Sequence, residues 1–249
     1  MVGGVSAVVA WVVGVPRLAG PWRSNLVIRD MPGLAPFRAL ETMGILSSGA
    51  GLLAGLDAPK TPDPVQEALV AEVLADPCVA LFGTQPDRRL PIAFFSDFNC
   101  PNCRVLEAIL IRYDAENPGT IRIVRHELPL LGAASTVAGK AVLAADLQGG
   151  YAAMHDRLMR ASLVTDLNYV VTIAQSVGLD GQRLVADMQS PEIDKTLKRS
   201  RAIAKVFGFY GTPSTVIGHT VFLGALPEAD VEQIIAEELA ASPVCPVGR

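Results

Sequence analysis

Apolar positions along this chain change their spacing several times, and each change marks an element. Leu90 to Phe95 is a short, nearly continuous apolar run rich in Phe, the pattern of a strand covered on both faces. After Cys103 the apolar residues Leu106, Ile109, Leu110 and Tyr113 recur at helical spacing, so a helix is predicted from Cys100 to about Ala115. Asn117-Pro118-Gly119 closes that helix, and Thr120 to Val124, with Ile121 and Ile123 on one face, reads as a strand. Cys78 to Gly83 is a further short apolar run, predicted as the first strand of the unit, with a turn at Gln85-Pro86-Asp87. A strand, a helix and a strand at this spacing make a βαβ unit with a parallel pair. Helical patterns then follow over Ala133–Leu147, Tyr151–Met159, Leu167–Val177, Gly181–Met188 and Ile193–Phe207, some of them separated by Gly149-Gly150 and Gly178-Leu179-Asp180. Ser214–Ile217 and Thr220–Leu223, joined by Gly218-His219, form an antiparallel hairpin. Pro227 opens a last helix with a Val231, Ile234, Ile235, Leu239 stripe, and Glu228 and Asp230 in its first turn complement the helix dipole.

The first third of the chain lacks such order. Met1 to Val15 carries no charged side chain. It is short for a membrane span, which needs ~20 residues, and of the size of a signal-peptide core. No Lys or Arg precedes it, whereas Arg17, Arg23 and Arg29 follow; an export signal or membrane anchor is nevertheless the expectation. Met31-Pro32-Gly33 and Ala35-Pro36 break the chain, Phe37 to Ile45 is predicted as a short helix, and Lys60 to Pro64 reads as a linker before a helix over Val65–Ala75. The expected organisation is an apolar leader over 1–20, an irregular or helical extension over 21–75, and one domain over 76–242 with a helical insertion at about 133–208.

Composition narrows the function. Of 249 residues half are apolar and 18% charged, so a sizeable core forms without staples, and a net charge of −4 argues against a nucleic-acid partner. The chemistry lies in Cys100-Pro101-Asn102-Cys103. This turn joins the Phe-rich strand to its helix, which puts the first thiol at a helix N-terminus. Free backbone N–H groups and the positive dipole end there stabilise an anion. Cys100 is therefore expected to have a depressed pKa and to be the attacking sulfur. Pro101 suits the first helical turn, and Cys103, one turn further in, can close a disulfide with Cys100. Zinc is the weaker reading, because a structural site needs a second ligand pair. Cys78 and Cys245 stand singly, and the three histidines are scattered. An inert structural role is weaker too, since so short a loop constrains the unfolded chain little.

These stretches together resemble the DsbA-like branch of the thioredoxin superfamily, the exported thiol:disulfide oxidoreductases of bacteria, over roughly Pro77 to Ala240. The resemblance is carried by Phe94 to Cys103, by Glu127-Leu128-Pro129-Leu130-Leu131-Gly132, by Gly149-Gly150-Tyr151 through Met159, and by Gly211-Thr212-Pro213-Ser214, about 110 residues after the C-x-x-C. It implies an α/β, thioredoxin-like fold with a helical insertion between the βαβ unit and the C-terminal β-hairpin and helix. It also implies a cis Thr212–Pro213 bond facing the cysteines, with the Thr212 backbone offered to an extended substrate segment. The implied activity is disulfide exchange with protein thiols and disulfides as a periplasmic oxidase, without metal or organic cofactor and with a membrane redox partner such as a quinone-linked oxidase. A reductase or isomerase, or a copper-handling assembly protein using the same dithiol, stands as the alternative. Two departures from the family pattern are plain. Pro101-Asn102 stands where the best-known oxidants carry His, which predicts a less oxidising potential. Phe94 occupies the position of a buried acid, leaving Asp97 either as its substitute or as a turn residue. His126, His155 and His219 are expected in surface or structural roles. Cys78 and Cys245 form a candidate structural disulfide that only geometry decides.

Overall fold

The computed structural model describes residues 26–48, 63–85, 87–241 and 245. Its centre is β3 (Leu90–Ser96), the Phe-rich run, whose last five residues are buried. Its side chains alternate between two cores: Ile92 and Phe94 join one, Ala93 and Phe95 the other, as the two-residue period of a strand requires. β4 (Ile121–Glu127) pairs with β3 in parallel, from Leu90 opposite Ile121 to Ser96 opposite Glu127. On the other side β5 (Ser214–Ile217) runs antiparallel to β3, with Phe95 opposite Ser214, and β6 (Thr220–Leu223) completes the hairpin.

The sheet does not end there. β1 (Ile28–Asp30) and β2 (Arg38–Leu40) extend it to six strands in the order β1-β2-β6-β5-β3-β4, with β2 parallel to β6. This corrects two expectations. The stretch read as a connector supplies two strands, and Phe37 to Ile45 is no helix. The edge of β6 would otherwise expose a row of unpaired backbone groups, and that demand outweighs local propensity. Arg38 ties the added strand down, its Nε donating to Thr220 Oγ1 at 3.2 Å and its Nη2 to Glu238 Oε1 at 3.1 Å.

A third expectation fails as well. The apolar run after Asp76 is helix α2 (Pro77–Phe82), following α1 (Pro64–Ala75), instead of a strand. Six apolar residues do not distinguish strand from buried helix by themselves. Here Asp76 caps the turn, its Oδ1 accepting from the Val79 N–H at 2.9 Å, and Pro77 fills the first helical position, which suits a ring with no N–H.

Between β3 and β4 runs α3 (Pro101–Glu116). The insertion consists of α4 (Ala133–Asp146), α5 (Tyr151–Met159), α6 (Leu167–Ser176), α7 (Gly181–Asp187) and α8 (Pro191–Phe207); the chain closes with α9 (Glu228–Ala240). Asp166, Asp180 and Ser190 cap α6, α7 and α8 through their side chains. α3, α4 to α7 and α9 share one core, while α1, α2 and most of α8 share the second with Phe37, which meets Phe207 edge-on at 5.1 Å. Among the described residues no helix is long and apolar enough to cross a membrane. The predicted leader and anchor over 1–20 lie outside the described residues.

Candidate active site

Cys100 is the N-cap of α3: its backbone is extended, and its Sγ accepts the Cys103 N–H at 3.0 Å. The sulfur therefore faces the unpaired amides of a sixteen-residue helix with no acidic residue in its first turn, where negative charge is favoured. Pro101 sits at the first helical position, and Cys100 and Cys103 are joined as a disulfide with Cα atoms 5.3 Å apart. The Thr212–Pro213 bond is cis, and the Thr212 carbonyl oxygen lies 3.4 Å from Cys100 Sγ. Residues 112 apart in sequence thus meet because β5, which begins at Ser214, lies beside β3, whose end delivers the cysteines.

The turn is held from several sides. Asp97 accepts three backbone N–H groups, from Asn99 at 2.8 Å, Leu130 at 2.8 Å and Leu131 at 2.9 Å. Every oxygen of the carboxylate is committed to the backbone, so Asp97 positions the turn against the Glu127–Gly132 stretch and is not placed as a substitute acid. Asn99 clamps the insertion, accepting from the Val164 N–H at 2.7 Å and donating to the Val164 carbonyl at 3.1 Å. Arg104 donates to the Met159 carbonyl at 2.9 Å and also to that of Phe98. Asn102 donates its side-chain amide to Ser47 Oγ at 2.9 Å, a partner that no local pattern announces. Phe94 is buried in the core.

Beneath the helix lies a buried polar group that sequence reasoning missed. Glu107, one turn beyond Cys103, accepts from Arg125 Nε at 2.7 Å, and burial pushes its carboxyl up against the pull of that guanidinium. Glu127 accepts from the Tyr151 hydroxyl at 2.6 Å, and burial raises its pKa to about 7. Tyr151 is raised well above its ordinary value by burial and by Glu127. His155 packs edge-on against Phe98, and burial lowers it to about 3. Its Nε2 is 3.6 Å from Glu107 Oε1, too far for a hydrogen bond, and the ring is neutral at pH 7. The one signal in the sequence was a carboxylate at position 107, flanking the apolar stripe of the helix.

The other two histidines are occupied elsewhere. His126 stacks on Phe95 at 4.4 Å, donates to the Leu81 carbonyl at 2.8 Å, and is lowered by burial to about 4. His219 meets the buried Glu238 in the hairpin turn. Cys78 and Cys245 are bonded to each other, Cα to Cα 5.4 Å, on the far side of the second core. Among the described residues no three His, Cys, Asp or Glu side chains gather as a metal site.

The family model for the DSBA-like thioredoxin domain matches residues 91–236. The chain belongs to the DSBA-like thioredoxin domain family. That is a family of thiol-disulfide oxidoreductases, and the α/β sheet and helices over the matched residues have its thioredoxin-like fold. Among solved structures the chain is similar to a thioredoxin-like oxidoreductase from Silicibacter pomeroyi DSS-3, at 32% identity and a TM-score of 0.61, over 66% of this chain and 98% of that one. It is also similar to the catalytic domain of Proteus mirabilis ScsC, at 27% identity and 0.58, over 68% and 98%. The thiol-disulfide exchange protein alpha-DsbA2 from Wolbachia pipientis shares the fold at 19% identity and 0.59, over 71% and 99%. A search of curated proteins finds no match.

Proposed function

We propose that the chain exchanges disulfides with protein substrates through Cys100 and Cys103, working as an oxidase in the periplasm. The observation that carries this reading is the seat of Cys100 Sγ, at the mouth of α3 on the Cys103 N–H and beside the cis Thr212–Pro213 loop. A thiolate released there is stabilised by the helix end, so the reduced form is favoured and the disulfide is a good acceptor of electrons. A substrate thiolate attacks Cys100 Sγ; the Cys100–Cys103 bond breaks, and Cys103 departs as a thiolate that takes up a proton. A second substrate thiolate attacks the substrate sulfur of the mixed disulfide and releases Cys100. The substrate dithiol loses two electrons and the protein disulfide gains them; an oxidising membrane partner then removes them in turn. Thr212 supplies backbone groups to the substrate strand, and Pro101 and Asn102 form the turn that presents the sulfur. The closed Cys78–Cys245 bond accords with an oxidising compartment.

The test is oxidation of a reduced dithiol peptide by the oxidised protein, with Cys100→Ser beside it and a potential measured against glutathione. Activity lost in Cys100→Ser and a potential between the ~−270 mV of thioredoxin and the ~−120 mV of the strongest such oxidant are expected, Asn102 giving less help than a histidine. Activity retained in Cys100→Ser would sink the mechanism. A potential below that of thioredoxin would turn the proposed direction around.

A further inference from the structure

Residues Met43 to Ser48 run from β2 towards the active-site turn, and their backbone pairs with that of the hairpin and the cis-proline loop. Gly44 N–H donates to the Leu223 carbonyl at 2.8 Å, and Ile45 exchanges bonds with Ala225 at 3.1 and 2.9 Å. Ser47 then forms an antiparallel bridge with Thr212, both N–H to C=O bonds being 2.8 Å. Side chains follow the same track: the Tyr210 hydroxyl meets Met43 Sδ, and Asn102 donates to Ser47 Oγ at 2.9 Å. Leu46 lies so close to Gly211 that a Cβ there would stand 2.7 Å from its Cγ.

Both backbone groups of Thr212 are therefore taken by Ser47, and they are the groups that an added substrate strand would need. Thr212 and Cys100, whose Sγ lies 3.4 Å from the Thr212 carbonyl oxygen, are both 0% exposed. Yet Ile45 is 71% exposed, so the segment is held by strand pairing and a few polar contacts, without a buried anchor at that position. We infer that Met43–Ser48 is an internal strap that occupies the place of the substrate strand, and that protein substrates reach Cys100 only by displacing it. The inference rests on the proposed reading of Thr212 as the substrate-pairing group. An intramolecular competitor lowers apparent substrate affinity by the fraction of molecules in which the strap is open. It also makes extended, unfolded segments with free backbone groups the class of substrate able to take its place.

The experiment uses the reduced full-length protein and follows two rates, alkylation of Cys100 by iodoacetamide and, after reoxidation, kcat/KM for a reduced dithiol peptide. Ser47→Pro removes the N–H that Thr212 accepts. It is expected to raise both rates about tenfold, the scale of one or two backbone hydrogen bonds. Gly44→Val, whose side chain would collide with the backbone of Gly224 and Ala225, acts in the same direction. Ser47→Ala keeps the backbone pairing, loses only the Asn102 contact and gives a smaller rise, which covers the case of a proline variant that does not fold. Wild-type rates in all folded variants would overturn the strap. If instead the exchange reading fails, peptide oxidation is absent from every variant while alkylation still accelerates in Ser47→Pro.

Discussion

The two disulfides of this chain span almost the same distance between Cα atoms, 5.3 Å for Cys100–Cys103 and 5.4 Å for Cys78–Cys245, but lie 3 and 167 residues apart in sequence. Both have one sulfur near a helix start. What separates them is the surroundings. Cys100 caps a sixteen-residue helix, accepts a backbone N–H and faces a cis-proline loop, whereas Cys78 sits in a six-residue helix and ties it to the C-terminal stretch. The short loop adds little constraint to the unfolded chain and the long one adds much. On the proposed reading one bond is broken and remade in exchange, while the other stays. A disulfide's task is set by what stabilises its thiolates and by the length of chain it closes.

The sharpest way to break the comparison is to remove one sulfur from each bond. Cys103→Ser is expected to abolish oxidation of a reduced dithiol peptide and, offered a disulfide-bonded peptide instead, to accumulate a mixed disulfide as the Cys100 thiolate attacks one peptide sulfur and releases the other as a thiolate, seen on a non-reducing gel. Cys78→Ser should leave turnover intact but lower the stability to denaturant by about 3–5 kcal/mol. Turnover lost in Cys78→Ser with the fold preserved would contradict the division of labour. Asp97→Ala lies between them, because its carboxylate holds three backbone N–H groups of the cysteine turn and its neighbouring loop. Orphaning those donors is expected to cost about 2–4 kcal/mol and to slow exchange as well, read from denaturant curves and peptide oxidation together.

The smallest effect concerns pH. The Glu127 carboxyl is raised by burial to about 7, so the stability it contributes is full below its unfolded pKa and is lost as pH rises through 7. Glu127→Gln keeps an oxygen for Tyr151 and should remove a loss of about 2 kcal/mol between pH 5 and 8, measured by urea unfolding at both values. His126 and His155 are lowered by burial to about 4 and about 3. They act in the opposite sense, their contribution being present above the unfolded histidine pKa and lost as pH falls through those values. An unchanged pH dependence in Glu127→Gln would remove Glu127 from this account.

How much of this was legible in advance varies by element. Tyr151–Met159, Ser214–Ile217 and Thr220–Leu223 have the predicted bounds, and α3, predicted from Cys100 to about Ala115, runs from Pro101 to Glu116. In each of these the signal is local: a period, a glycine turn, a proline at a helix start. The cysteine turn was readable for the same reason, since strand, thiol and helix are neighbours in sequence. Thr212 and Pro213 came from resemblance, and the structure sets them against Cys100. Ser47 and Glu107 were missed, and Glu127 entered only through the resemblance without its buried pairing, because their partners are 165, 18 and 24 residues away.

By itself, then, the order of residues determined the βαβ unit, the helical insertion, the closing hairpin and the placement of a thiol at a helix mouth, because each depends on contacts within a turn or two of chain. Only the tertiary structure decided that residues 28–40 add two strands, that 77–82 coil into a helix, that Cys78 meets Cys245, and that Ser47 covers Thr212. The physical reason is common to all four. A free sheet edge, a buried face or a distant thiol finds its partner only when the chain is folded, and no periodicity records how far away that partner lies.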